Sequence, residues 1–172
     1  MDLKATIREI QDFPQTGINF KDITTLLKEP HALKFTIDEI SRQLQDKRVE
    51  IIVGPESRGF IVGVPVAYNI GAGFVPVRKP GKLPAEVERQ EYALEYGTDV
   101  LEIHRDAIRP GQRVAIVDDL LATGGTVLTT AKLIESLGGI VVSMQFLMEL
   151  TFLEGREKLK KYDVHSLISY DE

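Results

Sequence analysis

The chain has 172 residues and a formal net charge of −5 at pH 7. That is the length of one compact domain with a real core, and the sign offers no reason to expect non-specific attraction to nucleic acid or an anionic membrane. It contains no cysteine, which excludes a disulfide framework or thiolate metal site and is compatible with a reducing compartment.

The opening Met1-Asp-Leu-Lys-Ala-Thr-Ile-Arg-Glu has no basic stretch leading into an apolar one, and no later run is long enough to span a bilayer. The expectation is a cytoplasmic protein. Leu3, Ile7 and Ile10 recur at helical spacing before Phe13-Pro14 and predict a short N-terminal helix. Leu33, Ile37, Ile40 and Leu44 predict an amphipathic helix between Pro30 and the charged turn at Asp46, Lys47 and Arg48. Ile51, Ile52 and Val53 read as a short buried strand, residues 60–68 as a helix despite Pro65, and residues 73–77 as another strand. The alternation is βαβ. Over residues 78–109 the character changes: Lys, Glu and Arg crowd around Pro80, Gly81 and Pro84, and strand-like runs at 92–96 and 100–104 flank Gly97. A mobile hairpin or lid is expected there. Val114, Ala115, Ile116 and Val117 form a strand covered on both faces, and Val127, Ala131 and Ile134 set the apolar face of the next helix. Residues 140–147 and 164–169 supply the last strands, with a short helix near 156–160 between them.

Asp118 and Asp119 stand at the carboxyl end of a core strand, where open α/β sheets place their ligands. Ala122, Thr123, Gly124, Gly125 and Thr126 follow and open a helix. Backbone N–H groups and threonine hydroxyls there can wrap a phosphate, helped by the helix dipole, whereas carboxylates accept from a vicinal diol. A P-loop would need a lysine after its glycines, and none is present. A receiver domain would carry its acidic pair near the first strand.

Residues 114–126 resemble the phosphoribosyl pyrophosphate (PRPP) signature of the type I phosphoribosyltransferases. The resemblance implies an α/β fold with a mostly parallel twisted sheet flanked by helices, all in a single domain over residues 1–172. A small N-terminal hood over 1–30 would bind the base, and residues 78–109 would form the flexible catalytic loop. It implies that Asp118 and Asp119 hold the ribose hydroxyls and that Ala122, Thr123, Gly124, Gly125 and Thr126 hold the 5′-phosphate.

The likeness continues along the chain. Residues 54–60, Gly-Pro-Glu-Ser-Arg-Gly-Phe, are similar to the family's pyrophosphate loop, which assigns Glu56, Ser57, Arg58 and Gly59, with Lys79 and Lys82, to pyrophosphate. Arg58 can donate to two oxygens at once. Residues 13–23 resemble the base-binding segment of the adenine-using members, although Thr16 and Lys21 stand where those often carry Pro and Arg. Ile18, Asn19, Phe20, Lys21 and Leu120 are then the adenine contacts, Phe20 and Leu120 as a sandwich for the ring. Gly81-Lys-Leu-Pro84 and Leu94-Glu-Tyr-Gly97 are similar to the family's catalytic loop, making Glu95, Tyr96 and Arg78 the catalytic candidates.

The implied activity is transfer of the 5-phosphoribosyl group from PRPP to N9 of adenine, giving AMP and pyrophosphate. Mg²⁺ would enter with PRPP and no permanent protein metal site is expected, since His31, His104 and His165 show no ligand spacing. A homodimer is also implied, with Arg78 a candidate for reaching the neighbouring site. Transferases for other bases share the PRPP loop and stay open as alternatives, as does a PRPP-sensing DNA-binding regulator, which the acidic charge and the lack of a DNA-reading module disfavour.

Overall fold

The computed structural model describes residues 1–94 and 96–172. Five parallel strands form its central sheet in the order β4-β3-β7-β8-β9: β3 is Ile51–Pro55, β4 Gly73–Val77, β7 Arg113–Leu121, β8 Ile140–Leu150 and β9 Val164–Tyr170. Alternate side chains of these strands face opposite ways. Ile52, Ala115 and Val117 pack with Ile40, Leu44, Val62 and Val66 of helices α2 (Pro30–Leu44) and α3 (Arg58–Ile70). Val53, Val114 and Ile116 pack on the other face with Val127, Ala131 and Ile134 of helix α4 (Gly125–Ser136). The apolar runs seen in the sequence are strands buried on both faces, as expected.

The chain enters the sheet at β3, moves outward to β4, and returns across β3 to lay β7 on its other side. The direction of winding therefore reverses between β3 and β7. A crevice opens at the carboxyl ends of two such strands, because their connections leave in opposite directions. The loops after β3 and β7 both empty into it.

The N-terminus departs from expectation. Only Leu3–Thr6 forms a helical turn, of 3₁₀ type, and β1 (Arg8–Ile10) pairs antiparallel with β2 (Phe20–Asp22). Leu3 and Ile7 are buried against Ile23, Leu26, Leu147, Met148 and Tyr170. Their spacing of four thus reflects two anchors on one cluster rather than a helix face. The short helix α1 (Thr24–Leu27) completes the hood. Helix α2 begins as read, with Pro30 in its first turn and the Glu29 carboxylate accepting from the His31 N–H at 3.3 Å.

The segment after β4 also differs. Its strands are longer than expected, β5 at Val87–Leu94 and β6 at Gly97–His104, and they pair antiparallel from Val87 with His104 to Leu94 with Gly97. Leu101 and Ile103 on β6 are buried in the main core. The hairpin is therefore rooted at its base, and only its far end stands clear of the packing. The expected helix near 156–160 is a 3₁₀ segment, Gly155–Leu159. No helix among the described residues is long and apolar enough to cross a membrane.

Candidate active site

The loops after β3 and β7 line one cavity of about 260 Å³, bounded by Glu56, Ser57 and Arg58 on one side and by residues 118–127 on the other. It lies at the winding reversal. Two segments recognised separately in the sequence thus share one space.

Asp119 is 3% exposed, and Arg58 Nε donates to its Oδ2 at 2.5 Å across the cavity. Burial opposes the Arg58 charge, but Asp119, reinforced by Asp118, outweighs it and raises the guanidinium above its ordinary range. Asp118 Oδ1 accepts from the Asp119 N–H at 2.8 Å. Burial, and then the neighbouring Asp119 charge, push the Asp118 carboxyl well above its ordinary value. The acidic pair is thus divided: Asp119 is paired with Arg58, whereas burial and its neighbour's charge make Asp118 easier to protonate than an ordinary carboxyl.

Gly59 makes this approach possible. A Cβ there would lie 2.9 Å from Pro55 Cδ and 3.1 Å from Asp118 Oδ1, so a larger residue would push the start of α3 away from the pair.

The loop at 122–126 ends in α4, whose N-cap is Gly124 at φ 88° with no side-chain cap. The N-cap supplies no side-chain acceptor to the first N–H groups of that helix, and free N–H groups at a helix start are suited to an anion. A Cβ on Gly124 would stand 2.7 Å from the Gly155 carbonyl oxygen, and a Cβ on Gly155 would collide with the Ala122 carbonyl. The loop is braced from behind by a residue that the sequence reading left unassigned. Thr129 and Thr130 bond back to the Gly125 and Thr126 carbonyls at 2.8 and 2.7 Å, fastening the first turn.

The remaining expected site residues are spread over the crevice wall, the cationic segment and the hood. The Glu56 carboxylate accepts from Arg78 Nε at 3.2 Å and from the Lys79 N–H at 2.8 Å, and its own N–H donates to the Val77 carbonyl. Glu56 lines the cavity beside Ser57 and Arg58 and braces Arg78 from there. Arg78 also lies over the Phe60 ring at 5.8 Å, within its own chain. Lys79 and Lys82 are exposed on the following segment and do not line the cavity. Tyr96 is 89% exposed, whereas Glu95 lies outside the described residues.

In the hood, Asn19 Nδ2 donates to Glu9 at 2.7 Å and Lys21 Nζ pairs with the same carboxylate at 3.2 Å. Lys21 is 8% exposed and sits 4.2 Å over the Tyr170 ring. The Lys21 side chain is occupied inside the hood, whereas Asn19 Oδ1 is buried without a hydrogen-bond partner. Phe20 packs edge-on against Phe13 at 5.2 Å, and Ile18 is exposed nearby. None of residues 18–21 lines the cavity, although Leu120 does and also packs against the hood cluster. The three histidines are dispersed: His104 accepts from the Ala85 N–H at 3.3 Å, His165 meets Asp163 at 2.8 Å, and His31 opens α2. No group of three metal-ligating side chains occurs among the described residues.

Two contributors were missed in the sequence. Glu102, buried on β6, accepts from the Gly81 N–H at 3.0 Å and pairs with Arg89 at 3.2 Å, tying the cationic segment to the hairpin. Tyr92 on β5 lays its ring 3.6 Å from the position a Cβ would take on Gly125. Only strand alternation could have flagged them, and it gives no partner.

Comparison with known proteins agrees with this geometry. The phosphoribosyl transferase domain family matches residues 22–168. An adenine phosphoribosyltransferase of Alkaliphilus oremlandii is 67% identical over 171 residues, 99% of each chain. The crystal structure of adenine phosphoribosyltransferase from Thermoanaerobacter pseudethanolicus superposes with a TM-score of 0.95 at 60% identity, covering 98% of each chain. That of the Saccharomyces cerevisiae enzyme, complexed with adenine and an imino-altritol bisphosphate, gives 0.91 at 40% identity over 96% of each chain. With the pyrophosphate-type loop, the acidic pair and the phosphate loop meeting in one crevice, the chain belongs to the phosphoribosyltransferase family, within its adenine phosphoribosyltransferase branch.

Proposed function

We propose that this chain transfers the 5-phosphoribosyl group of PRPP to N9 of adenine, releasing AMP and pyrophosphate. The observation that carries the reading is the single crevice joining Arg58, the Asp118–Asp119 pair and the loop at 122–126. Cation, acidic pair and N–H-rich loop there match the order of pyrophosphate, diol and phosphate along PRPP. In this reading Asp118 and Asp119 accept from the ribose 2′- and 3′-hydroxyls, and the loop with the α4 N-terminus takes the 5′-phosphate. Arg58 exchanges its bond to Asp119 for one to pyrophosphate, aided by Ser57, Gly59, Lys79 and Lys82. Adenine stacks between Phe20 and Leu120 and is read by backbone groups at 18–21.

Attack by N9 at ribose C1, with pyrophosphate leaving from the opposite face, builds positive charge on the ribose ring. The carboxylates beneath the ring suit that charge, and the cations suit the leaving group. Mg²⁺ bound with PRPP would neutralise the pyrophosphate, held mainly by substrate oxygens, with Asp118 and Asp119 as the hard-oxygen groups nearest to hand. Glu95 and Tyr96 are assigned to proton movement on the purine and to shielding the ribose. Arg78, braced by Glu56, supports the cationic segment.

A homodimer belongs to the same reading, supported by an unpartnered apolar stripe on α3: Ile61, Val64 and Tyr68 are 48%, 47% and 89% exposed. A cytoplasmic setting follows from the chemistry, because a multiply charged substrate does not cross a bilayer unaided.

The test is a panel of free bases with PRPP and Mg²⁺, followed by pyrophosphate release. Adenine should be used far better than hypoxanthine or guanine. Comparable kcat/KM for guanine would overturn the assignment.

A further inference from the structure

We propose that Arg156 is a positioning residue for the 5′-phosphate loop, acting through the backbone of Gly155. This rests on the phosphate-loop reading above. Gly155 is buried, and its peptide lies against the loop so closely that neither side has room for a methyl group. A Cβ on Gly124 would stand 2.7 Å from the Gly155 carbonyl oxygen; one on Gly155 would strike the Ala122 carbonyl oxygen and come to 3.0 Å from Leu121 Cδ1. Backbones in such contact move together, so where Gly155 stands decides where residues 122–124 stand.

Its own segment does little to fix it. Glu154, just before it, is left-handed at φ 56°, and the run after it is a single 3₁₀ segment, Gly155–Leu159, too short to hold itself in place. Leu159, buried in the main core, anchors the far end. Arg156 anchors the near end. Its Nε donates to both oxygens of Glu149 at 3.0 and 2.9 Å, Nη1 to the Val164 carbonyl at 3.0 Å and Nη2 to Ser166 Oγ at 3.2 Å. Ser166 Oγ donates in turn to Glu149 Oε1 at 2.5 Å. One guanidinium is thus bound to the end of β8 and to β9 at two points, and its planar fork fixes direction as well as distance. Glu149 is 5% exposed; burial opposes its charge, but the bonds from Arg156 and Ser166 outweigh burial and hold the carboxyl below its ordinary value. Glu149, Arg156 and Ser166 all lie outside the crevice lining, so this clasp reaches a phosphate only through Gly155 and the loop.

Glu149→Gln and Arg156→Lys each cut the clasp from one side. Ribose 5-phosphate probes the phosphate loop, and inorganic pyrophosphate probes the other end of the crevice. The Kd of ribose 5-phosphate should rise about three- to tenfold in each variant, the loss of roughly one hydrogen bond, with pyrophosphate binding unchanged. The double variant should be no weaker than the weaker single one, because both cut the same link. In turnover, the KM for PRPP should rise while kcat and the KM for adenine hold. Ser166→Ala keeps the Glu149–Arg156 pair and removes one support from each, so it should move the same probe less; it decides the question alone if the stronger variants fail to fold. Thr126→Val, measured in parallel, tests the loop itself and should weaken ribose 5-phosphate. If it does so and the clasp variants melt lower yet bind the sugar phosphate as the parent does, Arg156 serves stability only and the loop reading stands. If Thr126→Val leaves ribose 5-phosphate unaffected, the loop reading fails and takes this proposal with it. Equal weakening of both probes by the clasp variants would mean a general loosening, and would also overturn the proposal.

Discussion

Asp118 and Asp119 are neighbours in sequence but occupy different electrostatic positions, and substitutions should separate them. Each is expected to lose about tenfold to hundredfold in kcat/KM as Asn, since a hydrogen bond to a charged group contributes about 1.5–3 kcal/mol. Their effects on stability should diverge. Asp119→Asn removes the charge that Arg58 pairs with at 2.5 Å and is expected to lower the melting temperature at pH 7. Asp118 has a raised folded-state value, so its contribution to stability is full at acid pH and falls as pH rises from the ordinary 3.8 through the folded value. At pH 7 the neutral Asp118→Asn side chain should leave the melting temperature equal or higher. A larger drop for Asp118→Asn than for Asp119→Asn would contradict this division of the pair. The glycines of the phosphate loop should separate in the same way. Gly124→Ala forces a left-handed Ala, at about 1–2 kcal/mol, and drives its Cβ to 2.7 Å from the Gly155 backbone, so it should destabilise the fold. Gly125→Ala meets the Tyr92 ring at an ordinary 3.6 Å and should melt close to the parent. Similar melting temperatures for the two variants would show that Gly155 is not a rigid brace.

Secondary-structure elements differ in how much the sequence discloses, and the hood and hairpin show why. Strands β3 and β7 are buried on both faces, so their composition alone reveals them. The acidic pair and the loop after it were legible for a related reason, since their chemistry is contiguous in the chain. Strand β1 has three residues, two of them exposed, and carries no period to read. What forms it is pairing with β2 and a side-chain network: Arg8 meets Asp22 at 2.5 Å, and Asp22 also accepts from Thr24 Oγ1 at 2.7 Å. The braces were illegible because Glu56, Glu102 and Gly155 act on partners distant in sequence. The Thr24 and Arg8 bonds hold the Asp22 carboxyl down at about 2. A depressed acid contributes stability that is present above its ordinary value of 3.8 and lost as pH falls toward 2. Amide hydrogen exchange at 8–10 and 20–22 should therefore accelerate across that window, and Asp22→Asn should flatten the dependence. An unchanged profile in Asp22→Asn would remove Asp22 as the acid-sensitive element of the hood. Strand β6 is held differently, by core burial, and Leu101→Ala or Ile103→Ala should cost about 2–5 kcal/mol in denaturant unfolding. A cost below about 1 kcal/mol would mean that the hairpin base is not part of the core.

For the molecule as a whole, the winding reversal between β3 and β7 decides where chemistry can occur, and α3 connects that site to the outside. Helix α3 starts at Arg58, beside the crevice, and displays Ile61, Val64 and Tyr68 outward along its length. A second copy seated on this stripe would stand behind the pyrophosphate loop, and pairing would stiffen the loop without adding a residue to it. Arg78 bonds Glu56 and covers the Phe60 ring. Val64→Asp places a charge in the centre of the stripe and, being exposed, leaves the core of α3 intact. Sedimentation should show dimers for the parent chain and monomers for Val64→Asp. Once separated, the monomer should fold and bind pyrophosphate more weakly, because a mobile loop must be ordered on binding. Mixing Arg78→Ala with Asp119→Asn protein then tests whether sites are shared across the pair. With Arg78 acting in its own subunit, each mixed dimer has one site carrying the Arg78 lesion and one carrying the Asp119 lesion, and no activity returns after subunit exchange. Recovery of activity on mixing would instead mean that Arg78 leaves Glu56 and reaches the adjoining crevice, and the brace described for Glu56 would then hold only in the separated chain.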